Sequence, residues 1–470
     1  MHSKGMRTEK DSMGEMSVPD DALWGASTQR AVLNFPISGR PLPTAFVRSL
    51  GLVKGVAASA NSELGRLPPE KAELIRQAAR EVAEGKLNDH FPVDVFQTGS
   101  GTSTNMNANE VIARRAAQLA QKTGVVHPND DVNLGQSSND IIPTVLHVSL
   151  ARALRDDLQP ALQRLHTALT QKQRAFDAVV KIGRTHLMDA TPLTLGQEFS
   201  GYAAQIRKAS ARVDRAIAAL GELAIGGTAV GTGINGHPEF AARVCAALSE
   251  ETGIPFREAD NHFEAQAARD DVVEVAGLLA AVAASLTKIA NDVRLLGSGP
   301  RAGFGELKLP ATQPGSSIMP GKVNPVMSEM LVQVCLYVQG LTQTVVMCGR
   351  DGHFELNVTL PLLAHCLHES VTCLANGSRV FAEKCVEGLE VDEARCRELM
   401  EQSLMLVTAL NPHIGYDAAA TVAKEALASG RSLREVVLAK KLMTAEALDK
   451  ALDPRAMTKP GDSALSGGGA

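Results

Sequence analysis

The sequence predicts a mainly α-helical fold organised around a bundle of long helices. Apolar residues recur with helical spacing over segments much longer than an average helix, at residues 144–174, 195–223, 270–296, 326–346 and 360–385. Alanine and glycine are interspersed among them, a composition that suits close packing on several helix faces. Glycine, proline, serine, threonine and asparagine collect between these segments and predict the connecting loops.

The segment at residues 270–296 shows the helical pattern most clearly. Its apolar side chains recur at spacings of three and four residues, at Val272, Val275, Leu278, Leu279, Val282, Leu286 and Ile289. A single surface helix would show a wider polar face than this. Extended helices that are covered on all sides, in a chain of 470 residues, predict a core that is shared between subunits.

Composition narrows the class of protein. A chain of 470 residues can bury a large core and hold two or three domains. The net charge is −5, with both signs interspersed, and aromatic residues make up 3%, so the sequence lacks the basic stripe and stacking surface of a nucleic-acid-binding protein. The longest uncharged apolar run, residues 275–287, is too short to span a bilayer.

The beginning of the chain and its cysteines indicate a cytoplasmic protein. The first twenty residues carry Glu9, Asp11 and Glu15 and lack an apolar core, which argues against a targeting peptide. The seven cysteines form no C-x-x-C pair, and their odd number argues against a disulfide framework. Their spacing also offers no group of thiolates for an iron–sulfur cluster.

Residues 231–236 read GTGING and match the dinucleotide fingerprint G-x-G-x-x-G. The fingerprint has a mechanism only where it follows a strand and opens a helix within a βαβ unit. A long helical segment precedes it here, and no series of strands alternates with helices. We therefore interpret these residues as a glycine-rich connection.

The loop at residues 315–325 carries the densest set of reactive and ligand-binding groups. It reads GSSIMPGKVNP, and its glycines let the backbone adopt φ > 0 and turn N–H groups towards an anion. Lys322 adds a positive charge and Asn324 an amide, while Ser316 or Ser317 offers a hydroxyl that could lose its proton beside the cation. The simple alternative is a glycine–proline turn between two helices.

Further motifs follow one another along the chain. They are RTEKDSMG at residues 7–14, QTGSGTSTNMN at 97–107, HPNDDVN at 127–133, QSSND at 136–140, GRTHLMDATP at 183–192 and LVTALNPHIGY at 406–416. Together with the loop at residues 315–325, they resemble the fumarase/aspartase superfamily, in the form found in class II fumarases. The resemblance runs in order from about residue 6 to about residue 460.

The resemblance implies a three-domain fold and a homotetramer. The expected domains are an N-terminal lyase domain at residues 1–137, a central long-helix bundle at 138–394 and a small C-terminal helical domain at 395–460. A disordered tail is expected at residues 461–470. The central bundles of the subunits would form the tetramer core, and each active site would draw on several subunits.

The resemblance also implies a reaction, the reversible stereospecific hydration of fumarate to (S)-malate in the tricarboxylic acid cycle. A base removes a proton beside a carboxylate, which becomes a dianionic enolate-like group, and an acid helps hydroxide to leave. The implied catalytic residues are Ser316 as the base, Lys322 and Asn324 holding the carboxylate on which charge accumulates, and His186, oriented by Glu329, handling the proton of water.

The remaining polar loop residues are implied to grip a small dicarboxylate. These substrate-binding residues are Ser100, Gly101, Thr102, Ser137, Ser138, Asn139, Thr185, Ser317 and Val323. The sequence offers no metal-ligand spacing such as H-x-x-x-H and no serine-hydrolase elbow. We therefore expect no metal, no cofactor, no nucleic acid and no membrane as partners.

Two positions separate class II fumarases from their relatives. Aspartate ammonia-lyases usually carry glutamine where this chain has His186 and alanine where it has Gly321, so the fumarase pattern is favoured at both. Aspartate ammonia-lyase or another lyase of the superfamily is the alternative. An inactive structural homologue is a further one, which the presence of Ser316, Lys322 and His186 disfavours.

An accessory dicarboxylate site is a feature of class II fumarases, and the corresponding residues here are His127, Pro128, Asn129 and Asp130. The arginine that often stands three residues before the histidine is Gly124 in this chain. Leu134 and Gly135 also replace a more usual Lys-Ser pair. These departures weaken the expectation of an accessory site and leave the main site unaffected.

Three site residues have a purely structural alternative. Ser138 could cap a helix that starts near Ile141. Glu329 could be a first-turn glutamate that the helix dipole favours. A lone histidine such as His186 is more often structural than catalytic, and the complete set of motifs is what favours the catalytic interpretation.

Overall fold

The computed structural model describes residues 5–460. The tail expected to be disordered, residues 461–470, lies outside the described residues. The described helices are α1 (Ala26–Asn34), α2 (Thr44–Glu63), α3 (Pro69–Ala83), α4 (Thr102–Leu119), α5 (Ser138–Ala153), α6 (Gln159–Ala175), α7 (Leu195–Ala219), α8 (Phe240–Thr252), α9 (His262–Ala267), α10 (Asp270–Leu296), α11 (Val326–Gly349), α12 (Leu360–Lys384), α13 (Glu393–Gln402), α14 (Asn411–Ile414), α15 (Tyr416–Ser429), α16 (Leu433–Ala439) and α17 (Ala445–Ala451).

Strands are short and pair two at a time. They are β1 (Met6–Asp11), β2 (Gly14–Pro19), β3 (Val180–Thr185), β4 (Met188–Thr194), β5 (Glu222–Leu223), β6 (Arg257–Glu258), β7 (Leu307–Lys308), β8 (Gly352–His353), β9 (Leu356–Asn357) and β10 (Glu390–Val391). The pairs β1–β2, β3–β4, β7–β10 and β8–β9 are antiparallel, and β5–β6 is parallel. The prediction of a mainly α-helical fold is confirmed.

The long helices follow the sequence pattern closely, with one exception. Helix α10 has the predicted bounds, and α11 and α12 differ by a few residues. The segment at 144–174 is divided between α5 and α6 by a π-helical turn, Leu154–Leu158. Pro160 is the second residue after this turn and has no N–H to donate to a regular turn, which explains the interruption.

The described part of the chain consists of two compact units. Unit 1 contains residues 5–161, 209–284 and 333–376, and unit 2 contains residues 162–208, 285–332 and 377–460. The boundaries between the units fall within long helices. The domain boundaries expected at residues 137 and 394 lie inside units 1 and 2 respectively, and the three-domain division stays a prediction.

Each unit has its own apolar core. In unit 1, side chains of α2, α3, α4 and α5 are fully buried, among them Phe46, Leu50, Ile75, Ile112 and Ile141. In unit 2, the C-terminal helices α13, α15, α16 and α17 pack around a cluster that includes Met400, Leu410, Val422, Val436 and Leu448. These cores hold fixed the loops and helix ends that carry the polar motifs.

Two long helices are only partly buried within one chain. In the most apolar stretches of α10 and α11, 44% and 33% of the residues are buried. Both helices are long and apolar enough to cross a bilayer, a test that core helices of soluble proteins also pass. The apolar run at residues 275–287, judged too short from its sequence, is thus part of a longer apolar helix.

All seven cysteines lie in described parts of the chain. Six are buried, and Cys373 is half-buried. Burial raises the pKa of the thiols of Cys245, Cys366, Cys385 and Cys396 to about 12. Buried thiols of this kind act as small apolar residues.

Candidate active site

The QTGSGTSTNMN block leads into α4 and places its hydroxyls at the start of that helix. Gly99 lies against the chain that precedes α12, where an added Cβ would stand 1.7 Å from the carbonyl oxygen of Val358. Gly101 has φ = +73°, a conformation that suits glycine. The close approach at Gly99 and the positive φ at Gly101 explain why glycine stands at these two positions of the block. Both glycines help to fix the position of Ser100 and Thr102.

Three of the predicted substrate-binding residues meet in a chain of hydroxyl groups. The Oγ atom of Ser100 is 2.7 Å from Oγ1 of Thr102, which is in turn 2.7 Å from Oγ of Ser138. Ser100 is buried, whereas Thr102 and Ser138 are partly exposed. Hydroxyls can donate or accept, so this chain can rotate its protons to suit a carboxylate.

The QSSND block forms the start of α5. Ser137 is its cap: Asp140 accepts a hydrogen bond from the backbone N–H of Ser137 at 2.8 Å, and the Ser137 hydroxyl accepts from the N–H of Asn139 at 3.2 Å. The cap expected at Ser138 therefore lies one residue earlier. The helix starts at Ser138, which leaves the hydroxyl of Ser138 to contact Thr102.

Asp140 and Asn139 connect this helix start to the glycine-rich segment that follows β5. The buried Asp140 carboxylate accepts hydrogen bonds from the N–H groups of Gly226 at 3.1 Å and Thr228 at 3.0 Å. The amide of Asn139 donates to the carbonyl of Ala229 at 2.8 Å. The segment at residues 231–236 is a series of turns, as expected, and not a nucleotide loop after a strand of a βαβ unit.

Lys54 is a residue of this region that the sequence analysis missed. It lies in α2 with no exposed surface, and its ammonium group donates to Oδ1 of Asn133 and Oε1 of Gln136, both at 2.9 Å. Asn133 and Gln136 belong to the turn that delivers Ser137. A signal existed in the sequence, because Lys54 is the one charged residue in the small and apolar stretch at residues 49–62.

The residues of the expected accessory site form a local turn. His127 precedes a π-helical turn, Pro128–Val132, and its Nδ1 accepts a hydrogen bond from the N–H of Asp130 at 3.1 Å. His127, Asn129 and Asp130 are exposed. Gly124 is exposed with φ = +69°. The accessory dicarboxylate site stays a prediction.

In unit 2, His186 lies at the tip of a β-hairpin, where the sequence predicts a loop. Strands β3 and β4 end at Thr185 and begin again at Met188, which leaves His186 and Leu187 as a two-residue turn. Both have left-handed backbones, with φ of +57° and +62°. This is the tight turn whose twist matches paired strands, and it presents His186 to the exterior.

Arg184 and Glu306 anchor the hairpin, and sequence reasoning identified neither. The guanidinium of Arg184 makes two hydrogen bonds to the carboxylate of the fully buried Glu306, at 2.9 and 3.0 Å. The ring of Phe304 lies 4.2 Å from the guanidinium carbon. Lys181, also buried, is 3.4 Å from Glu306 and 2.9 Å from Glu198. This network holds the base of the hairpin in place.

The loop at residues 315–325 is closed by its own hydrogen bonds. The Gly315 N–H donates to the carbonyl of Lys322 at 2.8 Å, and the amide of Asn324 donates to the carbonyl of Gly315 at 2.8 Å. The Oγ of Ser316 accepts from the N–H groups of Ile318 at 3.3 Å and Met319 at 3.1 Å. Two N–H donors are thus aimed at the serine oxygen expected to act as the base.

The other predicted residues of unit 2 near this sequence lie within the loop or directly after it. Ser317, Lys322 and Val323 are exposed, so they are open to a ligand or to a second chain. Glu329 lies in the first turn of α11, the position that its structural alternative requires. The site residues thus form two groups, with Ser100, Gly101, Thr102, Ser137, Ser138 and Asn139 in unit 1 and Thr185, His186, Ser316, Ser317, Lys322, Val323, Asn324 and Glu329 in unit 2.

These groups provide the means to bind a small anion and to move a proton. Hydroxyls, amides and a lysine are present, together with an imidazole and a serine oxygen that receives backbone N–H groups. Between residues 5 and 460, no cluster of histidine, cysteine, aspartate and glutamate has the geometry of a metal site. These residue types, taken group by group, suit acid–base chemistry on a carboxylate substrate.

Comparison with known proteins decides the family. A family described as "Lyase" matches residues 14–340, and one described as "Fumarase C C-terminus" matches residues 406–459. A protein named "Fumarate hydratase class II" from Halobacterium salinarum is 56% identical over 463 residues, 98% of each chain. One of the same name from Corynebacterium glutamicum is 54% identical over 464 residues, 97% of each chain. The chain belongs to the class II fumarase family.

A solved class II fumarase has the same fold. The crystal structure of recombinant class II fumarase from Schistosoma mansoni superimposes with a TM-score of 0.94 at 40% identity, covering 97% of this chain and 99% of that one. Membership of the class II fumarases confirms the resemblance drawn from the motifs. The roles of the individual residues rest on the motifs and on the geometry described above.

Proposed function

We propose that the protein is a fumarate hydratase, a hydro-lyase that interconverts fumarate and (S)-malate in the tricarboxylic acid cycle. The observation that carries this proposal is identity of 54–56% over nearly the whole length to proteins named fumarate hydratase class II. His186 and Gly321 further favour this reaction over the release of ammonia from aspartate.

The reaction requires stabilisation of a dianion more than it requires a strong acid or base. In the direction of dehydration, a base takes a proton from the CH₂ group of malate, and the adjacent carboxylate receives the electron pair. Hydroxide then leaves from the neighbouring carbon, takes up a proton and departs as water. Hydrogen-bond donors fixed in advance around the carboxylate lower the barrier to the first step.

Ser316 is proposed as the base. A serine oxygen can act at neutral pH only if its anion is stabilised, and the N–H groups of Ile318 and Met319 already point at this oxygen. The exposed Lys322 belongs to the same loop and adds positive charge. Lys322 and Asn324 are proposed to hold the carboxylate on which charge accumulates.

His186 is proposed to handle the proton of the leaving hydroxide, through water, with Glu329 orienting it. Its position at the tip of a tight turn, exposed and anchored by Arg184, supports a role that requires a fixed imidazole. The grip on the dicarboxylate is assigned to the hydroxyl chain and its neighbours: Ser100, Gly101, Thr102, Ser137, Ser138, Asn139, Thr185, Ser317 and Val323.

The proposal includes a cytoplasmic homotetramer with active sites shared between subunits. The exposed face of α11 supports an assembly, because Leu336, Tyr337, Val346 and Met347 recur on it at helical spacing and are 41–64% exposed. Such a face is unfavourable in water and is covered when a second copy of the helix packs on it. The three-domain division implied by the resemblance is part of the same proposal.

The test is an assay on the purified protein without added metal or nucleotide. Absorbance of fumarate in the ultraviolet should fall as water adds and rise when (S)-malate is the starting compound. Aspartate should release negligible ammonia under the same conditions. Complete loss of fumarate hydration in EDTA, or rapid deamination of aspartate, would contradict the proposal.

A further inference from the structure

Lys54 is a fully buried cation whose partners are neutral. Its ammonium group contacts the side-chain oxygens of Asn133 and Gln136, both at 2.9 Å. Asn133 is held from a second side, because the amide of Asn105 donates to the same Oδ1 atom at 3.1 Å. Burying an ammonium group without an ion-pair partner costs several kcal/mol. A protein that keeps such a group is expected to use its charge.

Asp140 does not serve as a paired counter-ion. It is the charged group that acts on Lys54, but the hydrogen bonds of the Lys54 ammonium group go to Asn133 and Gln136. Its oxygens are occupied by the N–H groups of Ser137, Gly226 and Thr228. The negative charge of Asp140 therefore stabilises the glycine-rich segment and the cap of α5, and the charge of Lys54 is only partly compensated.

The turn between Lys54 and the hydroxyl chain is short and rigid. Asn133 donates to the carbonyl of Gln136 at 3.1 Å, and Asn61 donates to the carbonyl of Leu134 at 2.9 Å. Gln136 directly precedes Ser137 and Ser138. Lys54 is thus linked to the turn that delivers Ser138 through the side-chain amides of Asn133 and Gln136.

We propose that Lys54 is a positioning residue for the dicarboxylate substrate. It holds the turn that carries Ser137 and Ser138, and it supplies a buried positive charge that the bound dianion compensates. This inference rests on the proposed function, which provides a dianionic substrate. Lys54 acts through Asn133 and Gln136 and touches no substrate itself.

The charge hypothesis predicts a pH dependence with a definite direction. Burial lowers the pKa of Lys54 to about 7, and Asp140 acts in the opposite direction. Burial also raises the pKa of Asp140, to about 6, so burial disfavours the charged form of both groups. Below about pH 7 the lysine is charged and attracts the dianion; above it the charge is lost and affinity should fall. Substrate binding should draw a proton onto Lys54.

The experiment compares the parent protein with Lys54→Met at pH 6.5 and pH 9, at constant ionic strength. At pH 6.5 the variant should show a KM for fumarate raised about tenfold, the scale of one charge acting over several ångströms in a partly polar interior. Its kcat should change by less than about twofold. At pH 9 the KM values of the two proteins should converge. The dissociation constant of succinate, measured by calorimetry, should follow the same course.

Asn61→Ala is the matched control, because it removes a hydrogen bond to the same turn without removing a charge. Its KM should keep the pH dependence of the parent.

A KM ratio between parent and Lys54→Met that is the same at both pH values, or a Lys54→Met variant that behaves like Asn61→Ala, would overturn the proposal and leave Lys54 a purely structural residue. Lys54→Gln, which keeps one hydrogen-bond donor without the charge, replaces the methionine variant if that fails to fold. A parent protein that does not hydrate fumarate but binds succinate with this pH dependence would contradict the proposed function alone.

Discussion

At the scale of single residues, Ser316 allows chemistry to be separated from folding. Ser316→Ala should lower kcat roughly 10²- to 10⁴-fold, because it removes the general base and leaves the N–H groups of Ile318 and Met319 without their acceptor. The loop remains closed through Gly315, Lys322 and Asn324. Fumarate absorbance measures the rate, and circular dichroism verifies the fold.

The control for this variant is Thr312→Ala, an exposed hydroxyl close to the same loop with no role in the proposed site. It should retain the turnover of the parent. Near-normal turnover in Ser316→Ala would show that another group is the base.

His186 can be tested with its backbone conformation preserved. Asparagine tolerates a left-handed backbone well, so His186→Asn should keep the hairpin turn while it removes the imidazole. We expect kcat to fall on a scale similar to that of Ser316→Ala, and by less if water substitutes for the ring. Leu187→Asn is the matched control, since it places the same side chain at the neighbouring left-handed position and should keep the parent's turnover.

Residues that act within one motif could be predicted from sequence, and residues that act through distant contacts could not. Ser316, Lys322 and Asn324 lie within a few positions of each other and form a recognisable string. Arg184 and Glu306 are 122 positions apart, and no local pattern marks them as partners. Lys54 reaches Asn133 across 79 positions. Such pairs become visible only when the fold places them together.

At the scale of elements, the β3–β4 hairpin links stability to the proposed active site, because it carries His186 at its tip and is anchored by the buried pair of Arg184 and Glu306. Arg184→Met leaves the buried Glu306 carboxylate with Lys181 alone, at 3.4 Å. Removing one partner of a buried ion pair costs about 3 kcal/mol at the lower end of measured cases. The variant should therefore melt at a lower temperature, and kcat should fall because His186 loses its fixed position.

A second substitution tests whether the unpaired Glu306 carboxylate causes the loss of thermal stability in Arg184→Met. In Arg184→Met/Glu306→Leu no buried charge is left without its partner, so part of the lost thermal stability should return. The surface variant Arg350→Met, which affects an exposed pair with Asp351 at 3.8 Å, should leave the melting temperature unchanged. If the double variant is no more stable than Arg184→Met, the buried carboxylate is not the source of the loss.

The elements themselves were predictable where one periodicity extends without interruption. Helix α10 has the bounds that its apolar spacing predicts. The hairpin was missed because residues 180–194 combine glycine, threonine and proline with few β-branched apolar residues, a composition that also describes a loop. The break between α5 and α6 depends on how the chain accommodates Pro160 within an otherwise helical pattern.

At the scale of the whole molecule, the distribution of the motifs predicts how the assembly works. Thr102 and Ser138 lie at the starts of α4 and α5, and Ser316 precedes α11. A helix of 30 residues spans about 45 Å, so loops at opposite ends of such a helix cannot both reach one small substrate. A symmetric oligomer can complete a site with loops from neighbouring chains. Inactive variants at His186 and Ser316 should then regain activity when they are denatured together and refolded as mixed oligomers.

Each variant refolded alone is the control and should remain inactive. Absence of activity in oligomers proven to contain both variants would show that His186 and Ser316 of one site belong to one chain. The sequence pattern alone predicted that the long helices are covered on all sides, and it could not give the number or arrangement of subunits, because those depend on surfaces that no local periodicity describes.

The burial of the cysteines has a consequence for the chemistry of fumarate itself. Fumarate is an electron-poor alkene, and thiolates add to such alkenes to form stable thioethers. The thiolate is the reactive form, so thiols that are buried and whose pKa is raised to about 12 are poor nucleophiles at neutral pH. We expect the folded protein to keep its mass during long incubation in concentrated fumarate and the unfolded chain to be alkylated, a difference that mass spectrometry would detect. On this basis the fold protects the protein from slow covalent damage by its own substrate.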